Sequence, residues 1–170
     1  MKIYSNNIAD GYLDDRFGHR DESFDREGPN RSFHVGWGEL PANTQSLALL
    51  FIDHDAIPVA GFSWIHWTAA NIDPALGELP ENASLDMNLL QGLTSRASRL
   101  LPEGMRLDID AASGFGGCAP PDKDHQYTLY LYALDTRLDL ERGFYANEMF
   151  KAMEGHILDK AKLQMIYRAR

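Results

Sequence analysis

The segment Tyr127-Thr128-Leu129-Tyr130-Leu131-Tyr132-Ala133-Leu134 carries large side chains at both odd and even positions. Successive side chains of a strand point to opposite faces, so this run must be covered on both sides rather than lie with one face in water. A chain containing it needs layers packed on both faces of one sheet. Two more runs ask for similar cover. Ser46-Leu47-Ala48-Leu49-Leu50-Phe51-Ile52 is mostly apolar and ends sharply at Asp53-His54-Asp55. Phe62 to Ile72 is rich in aromatic and β-branched residues and stops at Asp73-Pro74, a turn signal. Both read as central strands.

The remainder fits around these strands. With 170 residues, 44% hydrophobic and 11% aromatic, the chain can bury a core without metal or disulfide staples. No linker, repeat or low-complexity tract divides it, so residues 1–170 are read as one domain. Ile8 to Asn30 mixes charges, glycines and isolated aromatics without sustained periodicity and reads as an extended surface segment. Leu85 to Leu101 is open between helix and ordered loop, because Gly92, Thr94 and Ser95 interrupt its leucines. Phe150, Met153 and Ile157 recur at helical spacing, with Asn147 as a cap and Glu148 in the first turn. Leu163, Met165 and Tyr167 then alternate as a short last strand. The expected architecture is mainly β: an antiparallel β-sandwich with short peripheral helices and a C-terminal helix.

A formal net charge of -9 disfavours nucleic-acid and anionic-membrane contact, and no Lys/Arg cluster counters it. A few imidazoles and backbone amides can still make a local anion site. Cys118 is the single cysteine, which excludes an intramolecular disulfide and a cysteine-rich zinc site. The first residues turn polar before any signal-peptide length is reached, and no later apolar run would span a bilayer. These features place the chain in the cytoplasm.

Polar residues interrupt the apolar strands at three points: Asp53-His54-Asp55, His66 between Ile65 and Trp67, and Asp124-His125-Gln126-Tyr127. An unpartnered buried polar group costs roughly 2 to 7 kcal/mol, so their coincidence suggests a shared site. The plainer reading of each is strong. A histidine in a strand commonly bonds a backbone carbonyl, an aspartate at a strand end commonly caps a turn, and His19 and His34 read as surface or packing residues. Gly114-Phe115-Gly116-Gly117-Cys118-Ala119-Pro120-Pro121 adds exposed amides and a stiff exit, but lacks the Lys-Ser/Thr ending of a phosphate-cradling P-loop.

The order Asp53-His54-Asp55-Ala56-Ile57-Pro58, His66-Trp67, Gly114 to Pro121 and His125-Gln126-Tyr127 resembles the phosphatidylethanolamine-binding family, especially its bacterial branch and Raf kinase inhibitor-like proteins. Ser32 to Trp37, Leu40-Pro41, Tyr130 to Asp135 and Gly155-His156-Ile157-Leu158 extend the resemblance across most of the chain. It implies a ligand-binding set of Asp53, Asp55, His66, Gly117, Ala119, Pro120, His125 and Tyr127, with Pro121 in the pocket wall. It implies no cofactor and no bound metal. His54 in place of a common Pro, Ile57 lengthening the interval to Pro58, and Cys118 in place of another Pro depart from the family pattern and bear on pocket shape.

Two imidazoles, a phenol and loop amides can donate to a phosphate or carboxylate oxygen. A carboxylate beside a bound anion would repel it, so Asp53 is expected to orient and charge a histidine rather than touch the ligand. The expected function is non-catalytic binding of a small anion or phospholipid headgroup, with regulation of a protein partner and homodimerisation implied by the resemblance. The competing expectation is an enzyme using the same His/Asp/Tyr pocket, either a hydrolase working by acid-base chemistry or a metal-dependent enzyme holding its metal through His54, His66, His125 and Asp53; Ser113 and Cys118 show no paired base in sequence.

Overall fold

A computed structural model describes all residues 1–170. Its ten strands form two sheets. The smaller contains β1 (Lys2–Tyr4), β4 (Val35–Gly38) and β7 (Glu78–Leu79), in the order β1-β4-β7. The larger comprises β2 (Ile8–Ala9), β3 (Tyr12–Leu13), β5 (Ser46–Asp53), β6 (Trp64–Ile72), β8 (Leu90–Gln91), β9 (His125–Leu134) and β10 (Ile157–Tyr167). Its order is β2-β3-β10-β9-β5-β6-β8. Every pairing is antiparallel except β3 with β10, which meet in parallel at Tyr12 and Ile166. The sheet is therefore mixed at one edge, a small departure from the purely antiparallel expectation.

The double-sided pattern of β9 has a direct explanation. Leu129 and Leu131 point into a core that includes Val35 and Trp37 of β4 and Leu79 of β7. Tyr132 and Leu134 point into a second core closed by Leu138, Phe144, Met149 and Met153. One face is thus a sheet-on-sheet sandwich and the other is covered by a helix and its approach. All eight residues of β5 are buried, as its unbroken apolar run demands.

The helices are short: α1 (Ile57–Ala60), α2 (Ala83–Asp86), α3 (Ile109–Ala112) and α4 (Ala146–Met153). α4 is the expected C-terminal helix with a corrected frame. Glu148 Oε2 accepts the Tyr145 amide at 2.7 Å, so the helix starts at Ala146 and Asn147 lies inside it. Its buried stripe is Ala146, Met149 and Met153; Phe150 is exposed, and Ile157 already belongs to β10. That last strand is the longest of the fold, not a short one. Leu85 to Leu101 resolves into the end of α2, β8 and a 3₁₀ turn at Ser95–Ala97.

The expectation for Ile8 to Asn30 needs correction too. Leu13 and Phe17 enter the main core and Asn30 is buried, because this irregular segment lies along the glycine-proline loop. Cys118 donates its amide to Phe17 O at 3.0 Å, its carbonyl accepts from the His19 amide at 2.8 Å, and the Asn30 amide reaches Phe115 O at 2.7 Å. Gly18 makes the approach possible: a Cβ there would sit 2.1 Å from Cys118 O and 2.5 Å from the Tyr167 ring. His19 and His34 are both buried, His34 with Nε2 3.2 Å from Glu78.

Candidate functional site

Strand register gathers the polar residues at one end of the large sheet. Asp53, the last residue of β5, pairs with Tyr127 near the start of β9, and opposed residues share a face. His125 lies two residues before Tyr127 and therefore on the same side. His66 arrives by a different device. Phe51 pairs with Trp67 while Ile52 pairs with Ile65, leaving His66 as the extra residue of a β-bulge. The bulge lets His66 and Trp67, adjacent in sequence, face the same side. The His66 ring consequently lies 5.2 Å from that of Tyr127 and 5.9 Å from that of Phe51.

His125 Nδ1 donates to Asp53 Oδ2 at 2.7 Å, and Nε2 lies 2.9 Å from Asp122 Oδ1. Burial pulls the His125 pKa down, but hydrogen bonds and charge from Asp53 and Asp122 outweigh it and hold the imidazole above its ordinary value. Asp53 Oδ1 also accepts the Ala56 amide at 3.2 Å. This carboxylate therefore orients and charges His125. Asp122, by contrast, is kept below the usual carboxylate range by its hydrogen bond to His125.

His66 behaves in the opposite sense. Its Nδ1 donates to Gly116 O at 2.8 Å, and burial lowers its pKa although that hydrogen bond and the Asp53 charge act to raise it. The neutral ring thus presents a lone pair at Nε2, an acceptor rather than the donor expected from sequence.

Tyr127 is fully buried, and its hydroxyl has no hydrogen-bond partner. Leaving such a group unsatisfied costs about 1 to 3 kcal/mol. Burial, then the neighbouring Cys118 and Asp53, push its pKa well above the usual phenol value, so it is a neutral O–H donor. The Ala119 amide points at the phenol oxygen and offsets part of that rise, while the hydroxyl proton itself meets no acceptor; the Gly117 and Ala119 amides donate to no backbone carbonyl. Gly117 is packed beneath Phe24, whose ring lies 2.8 Å from where a Cβ would be, and Pro120 is buried.

Asp53, His66, His125 and Tyr127 therefore converge, with Gly117 and Ala119 of the glycine-proline loop next to them. Asp55 has a bond of its own: its Oδ2 accepts the Gln126 amide at 2.8 Å and ties the turn after β5 to the start of β9. Sequence reading missed Asp122, although an acidic residue three before His125 and just after two prolines was visible. It also missed the Gly116 carbonyl, for which sequence carries no signal.

His54 does not join His66, His125 and Asp53, and neither Ser113 nor Cys118 is set up as a nucleophile. His54 is exposed, with Nδ1 2.8 Å from Ser63 Oγ, and no group of three or more His, Cys, Asp or Glu side chains has metal-holding geometry. Ser113 Oγ donates to Ile109 O at 2.7 Å, with no base beside it. Cys118 is fully buried, and burial followed by the Asp53 charge raises its thiol pKa well above the ordinary value, the reverse of an activated nucleophile. No helix is long and apolar enough to cross a membrane.

Comparison with known proteins bears on the fold and the family. A protein designated YxkA from Bacillus subtilis is 46% identical, the match covering 99% of each chain. A UPF0098 protein of Methanothermobacter thermautotrophicus is 38% identical over 84% of this chain and 85% of its own. Among solved structures, Escherichia coli YbcL, described as a member of the mammalian PEBP family, superposes with a TM-score of 0.76 at 25% identity, covering 99% of this chain and 98% of its own. A phosphatidylethanolamine-binding protein homologue of Chlamydia trachomatis has the same fold, with a TM-score of 0.79 at 24% identity over 99% of this chain and 97% of its own. The sequence profile of the Phosphatidylethanolamine-binding protein family matches residues 5–168, and the chain belongs to that family.

Proposed function

We propose that this chain is a non-catalytic binding protein whose Asp53, His66, His125 and Tyr127 site takes a small anion or a phosphorylated headgroup, free or carried by a partner. The observation that carries the reading is the buried Tyr127 hydroxyl, which has no partner of its own and stands beside the Ala119 amide. A ligand oxygen accepting from the Tyr127 hydroxyl would remove an unsatisfied group, and the charge on His125 would favour a negative ligand. His66 Nε2, being an acceptor, suits an acid that keeps one proton, such as a phosphate monoanion.

Calorimetric titration with phosphate, acetate and phosphorylethanolamine at about pH 6 and about pH 8, on either side of the ordinary imidazole value, tests this reading. Saturable binding that weakens at the higher pH and is lost in Tyr127→Phe is expected. Binding that survives Tyr127→Phe unchanged would place the ligand elsewhere, and no binding of any of the three would remove the anion reading.

A further inference from the structure

In this structure His125 has no hydrogen-bonding position left for a ligand. Asp53 takes Nδ1 and Asp122 takes Nε2, at 2.7 and 2.9 Å. The two carboxylates are not equivalent. Asp53 is buried at the end of β5, and its other oxygen is anchored by the Ala56 amide, so it cannot leave without breaking the strand end. The Asp122 side chain is 49% exposed and sits in an exposed stretch after Pro120 and Pro121; besides His125, only the adjacent backbone amides of Asp122 and Lys123 approach its carboxylate. It can swing into water with little loss.

An oxygen of a phosphate or carboxylic acid seeking His125 would make the same charge-assisted bond that Asp122 Oδ1 makes now. We propose that Asp122 is a built-in competitor: its carboxylate occupies the His125 Nε2 position that a ligand oxygen would take, and the site loads only when Asp122 is displaced. The inference rests on the anion-binding reading above and adds a specific residue that sets its affinity. Displacement is a tethered competition, so the observed affinity is the intrinsic affinity multiplied by the fraction of molecules in which Asp122 is away.

The other groups facing His125 do not substitute for Asp122. His66 from β6 is neutral and held to Gly116 O, Tyr127 is a neutral phenol, and Tyr167, opposite His125 in register on β10, gives its hydroxyl to Asp15 O. Asp55 is engaged by the Gln126 amide. Asp122 is thus the exposed charged group bonded to the outer nitrogen of the imidazole.

The test compares wild type with Asp122→Asn and with Asp124→Asn. The latter removes the same formal charge from a neighbouring residue whose carboxylate contacts the Ala169 amide instead. Calorimetry with inorganic phosphate and with acetate supplies affinities, and an NMR pH titration of the His125 ring reports the contact itself. If Asp122 covers the ring about nine-tenths of the time, Asp122→Asn binds phosphate roughly tenfold more tightly, with a gain of the same order for acetate. Asp124→Asn changes affinity less than about twofold, as expected of a solvent-screened charge, and only Asp122→Asn lowers the midpoint of the His125 titration. A wild type that binds phosphate while Asp122→Asn binds it no better overturns the competitor role and leaves the anion site standing. Equal gains from both variants assign the effect to long-range charge and also overturn it. So does an unchanged His125 midpoint in Asp122→Asn. If no form binds phosphate or acetate, the anion reading falls and the competitor role falls with it.

Discussion

His125 Nδ1 donates to Asp53 Oδ2 at 2.7 Å, and neither side chain has appreciable contact with solvent. Breaking a buried pair leaves one partner charged and unmatched, which costs more than the pair contributes by forming. Asp53→Ala should therefore destabilise the fold by about 3 kcal/mol, read as a lower urea midpoint with an unchanged slope. A loss below about 1 kcal/mol would mean that water replaces the carboxylate at no great expense, and that the pair is not sealed in solution.

The same pair sets the sign of a pH effect. His125 has a folded pKa above the ordinary value of 6.5, since Asp53 and Asp122 outweigh burial. Its contribution to stability is complete below that value and is lost as pH rises through the folded pKa. His66 is lowered by burial, so its contribution is present above 6.5 and is lost as pH falls through its own folded pKa. Urea midpoints measured across this range should decline on both sides. His125→Asn should flatten the upper decline and leave the lower one. An upper decline that persists in His125→Asn belongs to another group.

Tyr127 separates binding from stability. Its ring is stacked 5.4 Å from Phe51 and meets His66 edge-on, while its hydroxyl proton meets no acceptor. Tyr127→Phe keeps the ring and removes the unsatisfied atom, so the unliganded protein should be unchanged or more stable by about 1 kcal/mol. The same substitution should abolish phosphate binding. A marked loss of stability would show that the hydroxyl has a partner in solution.

These residues mark how far the sequence could be read. Asp53, His66, His125 and Tyr127 were legible because each breaks an apolar run and because their order matches a known family. The double cover of β9 was legible from side-chain size alone. The Asp55 bond to the Gln126 amide was not, since an aspartate that accepts a distant backbone amide has no distinct signature in sequence. His66 as an acceptor was hidden for a related reason: the Gly116 carbonyl that fixes its tautomer is backbone and leaves no trace in residue type. The frame of α4 was missed because Phe150 is apolar yet exposed, while Met149 one position earlier faces the core. The buried stretch around Phe17 was missed because its contacts are backbone bonds to a loop about a hundred residues away, which no local periodicity reports.

Gly18 is where that long-range contact is most exposed to test. Its φ of -171° is extended backbone open to any residue, so the constraint is space and not conformation. A methyl group there would lie 2.1 Å from Cys118 O and 2.5 Å from the Tyr167 ring, and neither backbone nor a packed ring yields easily. Gly18→Ala should cost about 3 kcal/mol, measured by urea unfolding. A cost near zero would mean that residues 17–19 do not lie along Cys118 in solution.

Cys118 supplies an independent readout of the same junction. Its thiol is fully buried and its pKa is raised well above the ordinary value by burial and by the Asp53 charge, so neither access nor thiolate is available in the native state. Alkylation by iodoacetamide should then proceed only through opening of the structure, at a rate set by the open population rather than by reagent chemistry. Because the Cys118 carbonyl and amide are both bonded to the segment that Gly18 allows to approach, Gly18→Ala should raise the rate by the factor by which it increases that population. Fast labelling of wild type, equal to that of a free thiol, would instead require the loop to leave the Phe17 to His19 backbone as a local event, with the rest of the sheet intact.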